Sequence, residues 1–452
     1  MSETTQTGVQ ADEYPSEPYA WYVMTVLVIA YAFSYVDRTI ISLLVEPIRA
    51  SLDITDTQIS LLHGIAFALF YTLLGMPIGW LADRGNRVKI ISVGIFLWSI
   101  ATALCGLASS FMQMFTARVA VGVGEAALSP SAYSLITDYF RPEKLSRALS
   151  VYNAGLFMGT GLALVIGGAI IAITPALDVP VIGRLEPWQV TFMYVGLPGV
   201  LVALWAYSLR EPKRLGTTPE GEQRTGLGTH IAKAVAYIRL RPAAYLYHFT
   251  GFSLYAFIWT GTSFWIPTHF IRNFGFSQGE IGGTYGLIVV VFGLLGVNAG
   301  GWLAGHWRKA GKTDAELRTG ITGVLMTLPF GIVAPLLPDA TLALAGFCGL
   351  TFFASFPWGA ATAALQIITP NRMRAMVSAL FLFLVNLVGI GIAATVIAMI
   401  KDVFFGYDEA INYAIAIAVG VVAPVSAFLL YRGLAPYRAA AADIAAQVAN
   451  RR

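Results

Sequence analysis

Four charged side chains lie inside stretches of the chain that are otherwise apolar. Asp37 and Arg38 are adjacent in the first such stretch, and Arg118 and Glu125 lie seven residues apart in the fourth. Seven residues make about two turns of an α-helix, so Arg118 and Glu125 share one helix face. Charges inside a bilayer are costly and face a partner or a wet cavity. In that setting carboxylates can exchange protons and guanidinium groups can hold anions, which is the chemistry that this pattern predicts.

Membrane-spanning helices must position these charges. The 452 residues are 57% hydrophobic and 12% charged, with a mean hydropathy of +0.68, whereas a soluble domain carries about 25% charged residues. A span needs roughly 20 mostly apolar residues. The sequence therefore predicts an all-α membrane protein with twelve spans, at 21–45, 58–81, 88–108, 112–137, 147–172, 190–209, 245–271, 281–304, 318–337, 340–367, 374–400 and 410–432.

The distribution of Lys and Arg orients these spans. With the N-terminus in the cytoplasm, 23 of the 29 Lys and Arg residues fall in predicted inner loops and tails. The outer loops hold only Arg49, Arg184, Arg272 and Lys401. Because positively charged loops stay on the cytoplasmic side, we expect a multi-pass protein of the inner membrane with both termini in the cytoplasm.

The longest inner segment divides the predicted spans into two groups of six. A short amphipathic helix is expected near residues 231–239 of this segment. The predicted organisation is a cytoplasmic tail at 1–20, a six-helix bundle at 21–209, a linker at 210–244, a second six-helix bundle at 245–432 and a tail at 433–452.

The loop after the second span carries a recognisable motif. Its residues, Gly79-Trp80-Leu81-Ala82-Asp83-Arg84-Gly85-Asn86-Arg87, resemble the G-x-L-A-D-R-x-G-R-K loop of the major facilitator superfamily, with the second Gly one place early. The run recurs as Gly301-Trp302-Leu303-Ala304-Gly305, which indicates an internal repeat of the kind that transporters use for alternating access. The resemblance implies a cytoplasmic gate formed by Gly79, Asp83, Arg84 and Arg87, with Asp83 against a helix end of the second half near Arg374.

Other motifs narrow the resemblance to one branch of that superfamily. The Asp37-Arg38 pair, the run Gly122-Val123-Gly124-Glu125-Ala126 and Asp138-Tyr139-Phe140 resemble the Spinster branch, and Arg118 with Gly122 resembles the family's R-x-x-x-G motif. The resemblance implies the major facilitator fold and a lipid-like substrate of the sphingosine-1-phosphate or lysophospholipid type. Some organic-anion symporters share the Asp-Arg pair, so a proton-coupled symporter of small organic anions is the alternative.

The depths of the charged residues suggest their roles. At about 1.5 Å per residue, Asp37 and Arg118 lie roughly 12 and 10 Å from the outer ends of their spans, and Glu125 lies about two turns deeper. We predict proton coupling through Asp37 and an acidic substrate head near Arg38 and Arg118. Glu125 is expected either to act as a second station for the proton or simply to neutralise an arginine. A structural ion pair that only sets helix register is the competing interpretation. The residues predicted to contact the rest of the substrate are Tyr255, Trp259, Trp358 and Asn386.

Other classes of function lack support in the sequence. The five His residues are scattered, and no Cys/His cluster or nucleophile with a base is visible, so we expect no catalytic site, no metal site, no cofactor and no enzyme activity. A channel would need a continuous polar pore instead of one charged patch. The net charge of +4 comes from loops between spans, so no nucleic-acid partner is expected. The expected partners are a small amphiphilic substrate, protons and the lipid bilayer, with the chain acting as a monomer.

Overall fold

Long helices dominate the protein because a backbone surrounded by lipid must pair its own N–H and C=O groups. The computed structural model describes residues 14–82, 84–180, 183–214, 227–370 and 373–449. In the first half, span 1 is Glu17–Thr39, span 2 is Asp56–His63 followed by Ile65–Ala82, span 3 is Arg87–Cys105, span 4 is Phe111–Glu125 followed by Leu128–Tyr139, span 5 is Pro142–Ile173 and span 6 is Pro187–Tyr207. In the second half, span 7 is Pro242–Phe274, span 8 is Gln278–Lys309, span 9 is Ala315–Val333, span 10 is Ala340–Ser355 followed by Trp358–Ile368, span 11 is Arg374–Asn386 followed by Ala393–Ile400, and span 12 is Ile411–Ala449.

These helices confirm the predicted fold class. Eleven of the twelve spans are long and apolar enough to cross a membrane. The exception, span 7, has 33 residues, which at about 1.5 Å each exceed the thickness of the hydrocarbon core. It is less apolar because His, Thr and Asn residues interrupt its aromatic side chains.

Smaller elements connect the spans. The linker contains a helix at Leu227–Leu240, where the sequence predicted a shorter one. A short helix, Val45–Leu52, lies between spans 1 and 2. Two antiparallel strands, Leu177–Val179 and Gly183–Leu185, lie between spans 5 and 6.

Span 12 ends later than the sequence predicted. The tail expected from residue 433 is helical as far as Ala449, because it is rich in Ala, the strongest helix former. This extension also packs against the protein: Tyr437 and Ala440 are buried, and Asp443 forms an ion pair of 3.0 Å with Arg241.

Several spans predicted as single helices are interrupted. Span 2 breaks at Gly64, and span 11 contains a π-helical segment at Leu387–Ile392. The two breaks touch, since a Cβ atom on Gly64 would lie 2.5 Å from the carbonyl oxygen of Gly391. Only glycine permits this backbone approach, and π-bulges of this kind are frequent at functional sites.

Glycines also pack the two halves together along spans 5 and 8. A Cβ atom on Gly282 would lie 2.6 Å from the carbonyl oxygen of Leu164, and one on Gly286 would lie 2.6 Å from that of Gly161. Small residues let membrane helices approach closely, and packing replaces the hydrophobic effect as the source of their association. Spans 5 and 8 therefore form a tight, apolar contact between the halves.

Charged residues join the halves at one face of the bundle, here called the opposite face because it lies away from the chain ends and the linker. Asp56, whose side chain is fully buried, receives two hydrogen bonds from Arg272, of 2.6 and 2.8 Å. It also lies 2.8 Å from the Lys401 Nζ atom and 3.0 Å from the Arg49 Nε atom. The complete set, here called the opposite-face network, is Glu46, Arg49 and Asp56 from the first half and Arg272, Lys401, Asp402 and Asp408 from the second.

The other face, here called the terminal face, carries the chain ends and the linker. Its ion pairs differ from those of the opposite face. Among the described residues, its ion pairs stay within one half: Lys144 pairs with Glu17 in the first, and Arg308 pairs with Glu316 in the second. In the described part of the chain, ion pairs therefore join the halves at the opposite face, whereas those at the terminal face stay within one half.

We expect the Asp56→Asn variant to open the opposite face, because an amide cannot balance the three cations around it. Removing one partner of a buried ion pair costs about 3–5 kcal/mol. Pulsed-EPR distances between spin labels at the exposed residues Ser51 and Phe404 should acquire a second, longer component. Arg184→Gln, which removes an exposed charge from the same face, is the control. Unchanged distances in Asp56→Asn would mean that the network does not hold this face closed.

Candidate functional site

An ion pair between spans 1 and 4 forms the centre of the candidate site. The Arg38 Nε atom lies 2.5 Å from the Glu125 Oε2 atom, and their side chains are 11% and 0% exposed. The Ser34 hydroxyl, one helical turn before Arg38, donates to the same oxygen at 2.6 Å. The second carboxylate oxygen, Oε1, is buried and has no hydrogen-bond partner. Glu125 is therefore held from one side and keeps one oxygen free to accept.

Aromatic rings surround the Arg38 guanidinium group. Its Cζ atom lies 4.6 Å from the ring centroid of Tyr71, 4.8 Å from that of Phe67 and 5.1 Å from that of Tyr35. Such cation–π contacts stabilise a guanidinium group where little water is present. They use the faces of the rings and leave the edge of the guanidinium group available for hydrogen bonds.

The second arginine, Arg118, is completely buried and binds backbone atoms. Its Nη1 atom donates to the carbonyl oxygen of Asp37 at 3.0 Å, and its Nε atom donates to that of Leu62 at 3.3 Å. The remaining nitrogen, Nη2, has no partner. Arg118 thus ties span 4 to spans 1 and 2 and lies level with Asp37, but it is buried and not accessible to a substrate in this conformation.

Asp37 lies beside Arg118, although the arginine contacts its backbone. The Asp37 side chain is buried, and its Oδ1 atom has no hydrogen-bond partner. The Thr102 hydroxyl lies next to this carboxyl group and is also unpartnered. Burying a carboxylate without a bound cation is costly. The site therefore brings all four predicted charges together, and only the Arg38–Glu125 pair is a direct ion pair.

The predicted residues of the second half fall into two groups. Tyr255 and Trp259 are buried: the Tyr255 hydroxyl donates to the carbonyl oxygen of Phe353 at 3.2 Å, and the Trp259 ring packs against Phe157 of span 5. In this conformation they are packing residues. Trp358 and Asn386 are partly exposed, and the Trp358 Nε1 atom has no partner. These two residues retain hydrogen-bonding capacity for a ligand.

Among the described residues, those of the predicted gate contact their own halves or the linker. Asp83 lies outside the described residues. The Arg84 Cζ atom lies 3.8 Å from the ring centroid of Trp80, and the buried Arg87 forms ion pairs with Asp138 and Glu211. Arg374 donates to the carbonyl oxygen of Thr369 at 3.0 Å, also within its half. Gly79 faces span 4, since its Cβ atom would lie 3.5 Å from the Pro130 side chain. The contact between Asp83 and the second half stays a prediction for the conformation in which the terminal face is closed.

Sequence reasoning missed two sets of residues. Three of the four cations that it placed in outer loops, Arg49, Arg272 and Lys401, belong to the opposite-face network, and their gathering around Asp56 follows only from the meeting of the two halves. The second set is a group of tyrosines next to Arg38, whose only signal was the i, i+4 spacing of Tyr31 and Tyr35 on span 1.

The described part of the chain contains no group of three or more His, Cys, Asp or Glu residues that could hold a metal ion. The carboxylates that do approach each other, in the opposite-face network, are bound by arginine and lysine side chains.

Comparisons with known proteins agree with this architecture. The model of the Major Facilitator Superfamily matches residues 27–394. A bacterial homologue of the human lysosomal transporter Spinster, solved in an inward-facing and unoccupied conformation, is 28% identical, with a TM-score of 0.78 over 94% of this chain and 98% of that one. An MFS-type efflux pump of Mycolicibacterium smegmatis is 27% identical over 93% of this chain and 94% of its own length. A hexuronate transporter of Bacillus subtilis is 24% identical over 73% of this chain and 72% of its own length.

A double-mutant cycle should detect coupling between Arg38 and Glu125. We expect Arg38→Gln and Glu125→Gln each to lower the apparent melting temperature in detergent, because each leaves a buried charge without its partner. The double variant should lose less than the two single losses combined, with a coupling energy of about 0.5–3 kcal/mol.

The exposed pair Lys144–Glu17, with side chains 51% and 54% exposed, provides the matched control. Its cycle, with Lys144→Gln and Glu17→Gln, should give a coupling energy of at most about 1 kcal/mol. Equal coupling energies in the two cycles would contradict the expectation that the buried Arg38–Glu125 pair is coupled more strongly than an exposed pair.

Proposed function

Because the chain belongs to the Major Facilitator Superfamily and is a transporter of the Spinster type, we propose that it carries an anionic, lipid-like amphiphile across the membrane by proton-coupled alternating access. The single observation that carries this proposal is Arg38, a partly exposed cation that lies deep in the bundle beside a buried carboxylate. The comparisons are with transporters and not with enzymes.

The contacts between the halves support alternating access. The opposite-face network joins the halves on one side, whereas the ion pairs between described residues on the other side stay within one half. Because Lys and Arg are concentrated in the loops of the terminal face, we assign that face to the cytoplasm. The conformation described here is then the inward-facing one, with Arg38 reached from the cytoplasm.

The guanidinium group of Arg38 suits an anionic head. Within the described residues its hydrogen bond to Glu125 uses Nε, and its Nη1 and Nη2 atoms donate to no protein atom. A guanidinium group binds carboxylate or phosphate oxygens through two parallel hydrogen bonds, which an ammonium group cannot do. An anion at these two nitrogens would compete with Glu125 for the same positive charge.

The lipid-like character of the substrate is what the resemblance to the Spinster branch implies. The apolar surroundings of Trp358, which packs against two apolar clusters, support it. The alternative, a small organic anion, is supported by the similarity to the hexuronate transporter. Both substrates share the anionic head that Arg38 would bind, and they differ in the remainder of the molecule.

A competition experiment tests this proposal. The purified protein in proteoliposomes should bind or transport 1-oleoyl lysophosphatidate, and galacturonate should compete poorly because it cannot bury an acyl chain. Arg38→Lys should reduce kcat/KM by about tenfold or more, since charge is kept while the two-pronged hydrogen bonding is lost. Galacturonate competing better than the lysolipid would favour the small-anion alternative, and no flux of either anion would overturn the proposal.

Proton coupling is assigned to Asp37. A buried carboxyl group without a bound cation is stable only if a proton or a counter-charge accompanies it. The neighbouring Arg118 guanidinium group, with Nη2 unpartnered, can provide that counter-charge after a small rearrangement of spans 1 and 4. Asp37 would thus hold a proton in one conformation and release it in the other, and Glu125 would act as a second station when an anion displaces it from Arg38.

The Asp37→Asn variant imitates the protonated acid permanently. We expect it to lose transport driven by a pH gradient while retaining exchange of labelled for unlabelled substrate, because exchange needs no net proton movement. Substrate flux in proteoliposomes, with and without an imposed pH gradient, measures both. Asp53→Asn is the matched control: Asp53 is exposed and has a left-handed backbone (φ of 50°), which Asn tolerates. Normal pH-driven flux in Asp37→Asn would make Asp37 a structural residue.

A further inference from the structure

Five tyrosines, here called the tyrosine wall, form a continuous surface next to Arg38 in the first half. Tyr71 and Tyr35 flank the guanidinium group, at 4.6 and 5.1 Å from its Cζ atom. Tyr31 contacts Tyr35 edge-to-face and stacks on Tyr152, with ring centroids 4.7 Å apart and planes at 16°. Tyr133 meets Tyr152 edge-to-face at 5.3 Å. The wall therefore runs across spans 1, 2, 4 and 5, starting at the proposed anion site.

Close approach of spans 1 and 5 sets the position of these rings. Tyr31 and Tyr35 are four residues apart on span 1, and Gly155 and Gly159 are four residues apart on span 5. A Cβ atom on Gly155 would lie 3.0 Å from the Tyr31 ring, and one on Gly159 would lie 3.2 Å from the Tyr35 ring. Each ring thus lies over a glycine, and larger residues there would push the wall away from span 5.

Packing explains the rings of the wall but not their hydroxyl groups. Within the described residues, the Tyr133 hydroxyl donates to the Asn153 Oδ1 atom at 2.6 Å, and those of Tyr31 and Tyr35 lie 3.4 Å apart, near the limit of a hydrogen bond. The Tyr152 hydroxyl is fully buried beside the Ser129 side chain and makes no hydrogen bond of good geometry. A phenol can donate one hydrogen bond and accept others, and buried polar groups are normally paired. Phenylalanine would pack equally well, so the unused hydrogen-bonding capacity requires another explanation.

Four of the five tyrosines of the wall are at least partly exposed, and Tyr152 is buried. Tyr133 is 38% exposed, and Tyr31, Tyr35 and Tyr71 are partly exposed. A ligand whose anionic group binds Arg38 would place its next atoms against Tyr35 and Tyr71, because these rings flank the guanidinium group.

We propose that the tyrosine wall binds hydroxyl groups next to the anionic head of the substrate, so that the transported molecule is a hydroxylated anion. This inference rests on the proposed function, since it requires an anion at Arg38. Phenol rings present flat faces to the C–H groups of a polyol, and their hydroxyl groups meet its O–H groups. A site built to bind a substrate hydroxyl rejects the analogue that lacks it, because the polar groups of the site are then left unpaired. A glycerol backbone with a free hydroxyl and a sugar acid both meet this requirement.

Two pairs of matched anions test the proposal and separate the two sources. The first pair is 1-oleoyl lysophosphatidate and the corresponding propanediol phosphate, which lacks the 2-hydroxyl. The second pair is galactonate and hexanoate. In the pair that the protein transports, kcat/KM for the hydroxylated member should exceed that for the other by about tenfold or more, the effect of one unpaired buried polar group.

Tyrosine-to-phenylalanine variants locate the effect. In Tyr35→Phe, Tyr71→Phe and Tyr152→Phe the preference for the hydroxylated anion should fall toward unity, because each variant removes a hydroxyl and keeps the ring. Tyr207→Phe, at a residue 59% exposed on span 6, is the control and should keep the preference. Such conservative variants should fold, which thermal unfolding checks.

The outcomes separate this inference from the proposed function. Equal transport of both members of a pair by the unaltered protein would overturn the hydroxyl recognition and leave anion transport standing. If the preference for the hydroxylated anion is unchanged in all three variants, the tyrosine wall has only a packing role. Failure to move any of the four anions would overturn the proposed function and this inference with it.

Discussion

One buried carboxylate, Asp56, binds cations from both halves of the bundle and so joins the halves at the opposite face. Arg272 and Lys401 come from the second half, and Arg49 comes from the first. A buried charge with several partners is costly to break and costly to form. It therefore favours two discrete arrangements, joined or separated, over a gradual opening. These ion pairs lie at the opposite face. When they are formed, a substrate could enter the interior only from the terminal face.

The interior is asymmetric between the halves, and the asymmetry follows from where charge is buried. The first half holds Asp37, Arg38, Arg118 and Glu125, so polar side chains and tyrosines must surround them. The second half places Tyr255 and Trp259 in packing contacts and leaves Trp358 and Asn386 partly exposed. A substrate with a charged end and an apolar end fits this division. The tyrosine wall lies beside the charged groups of the first half, with Tyr35 and Tyr71 next to Arg38.

Interrupted helices connect the site to the movement of the halves. The break at Gly64 in span 2 meets the π-helical segment of span 11, and His63, directly before that break, stacks on Phe264 of span 7 at 4.2 Å. The Leu62 carbonyl, one residue earlier, accepts from Arg118. Three consecutive residues of span 2, Leu62, His63 and Gly64, therefore connect Arg118 to the surface along which the two halves meet.

The sequence by itself determined the class of molecule and the identity of the buried charges. Apolar runs of span length, the bias of Lys and Arg, and the charges inside spans 1 and 4 were sufficient, because a bilayer tolerates so few alternatives. It also placed Asp37 and Arg118 at one depth, since rise per residue is fixed.

Tertiary structure decided which groups pair with which. Periodicity along one helix says which side chains share a face, but the rotation of one helix against another decides that Arg38 binds Glu125 while Arg118 binds backbone carbonyls. The burial of Asp56 could not be predicted for the same reason, because its partners Arg272 and Lys401 lie more than two hundred residues away in the sequence. A charge near a helix end is ordinarily solvated, and only the meeting of the two halves buries this one.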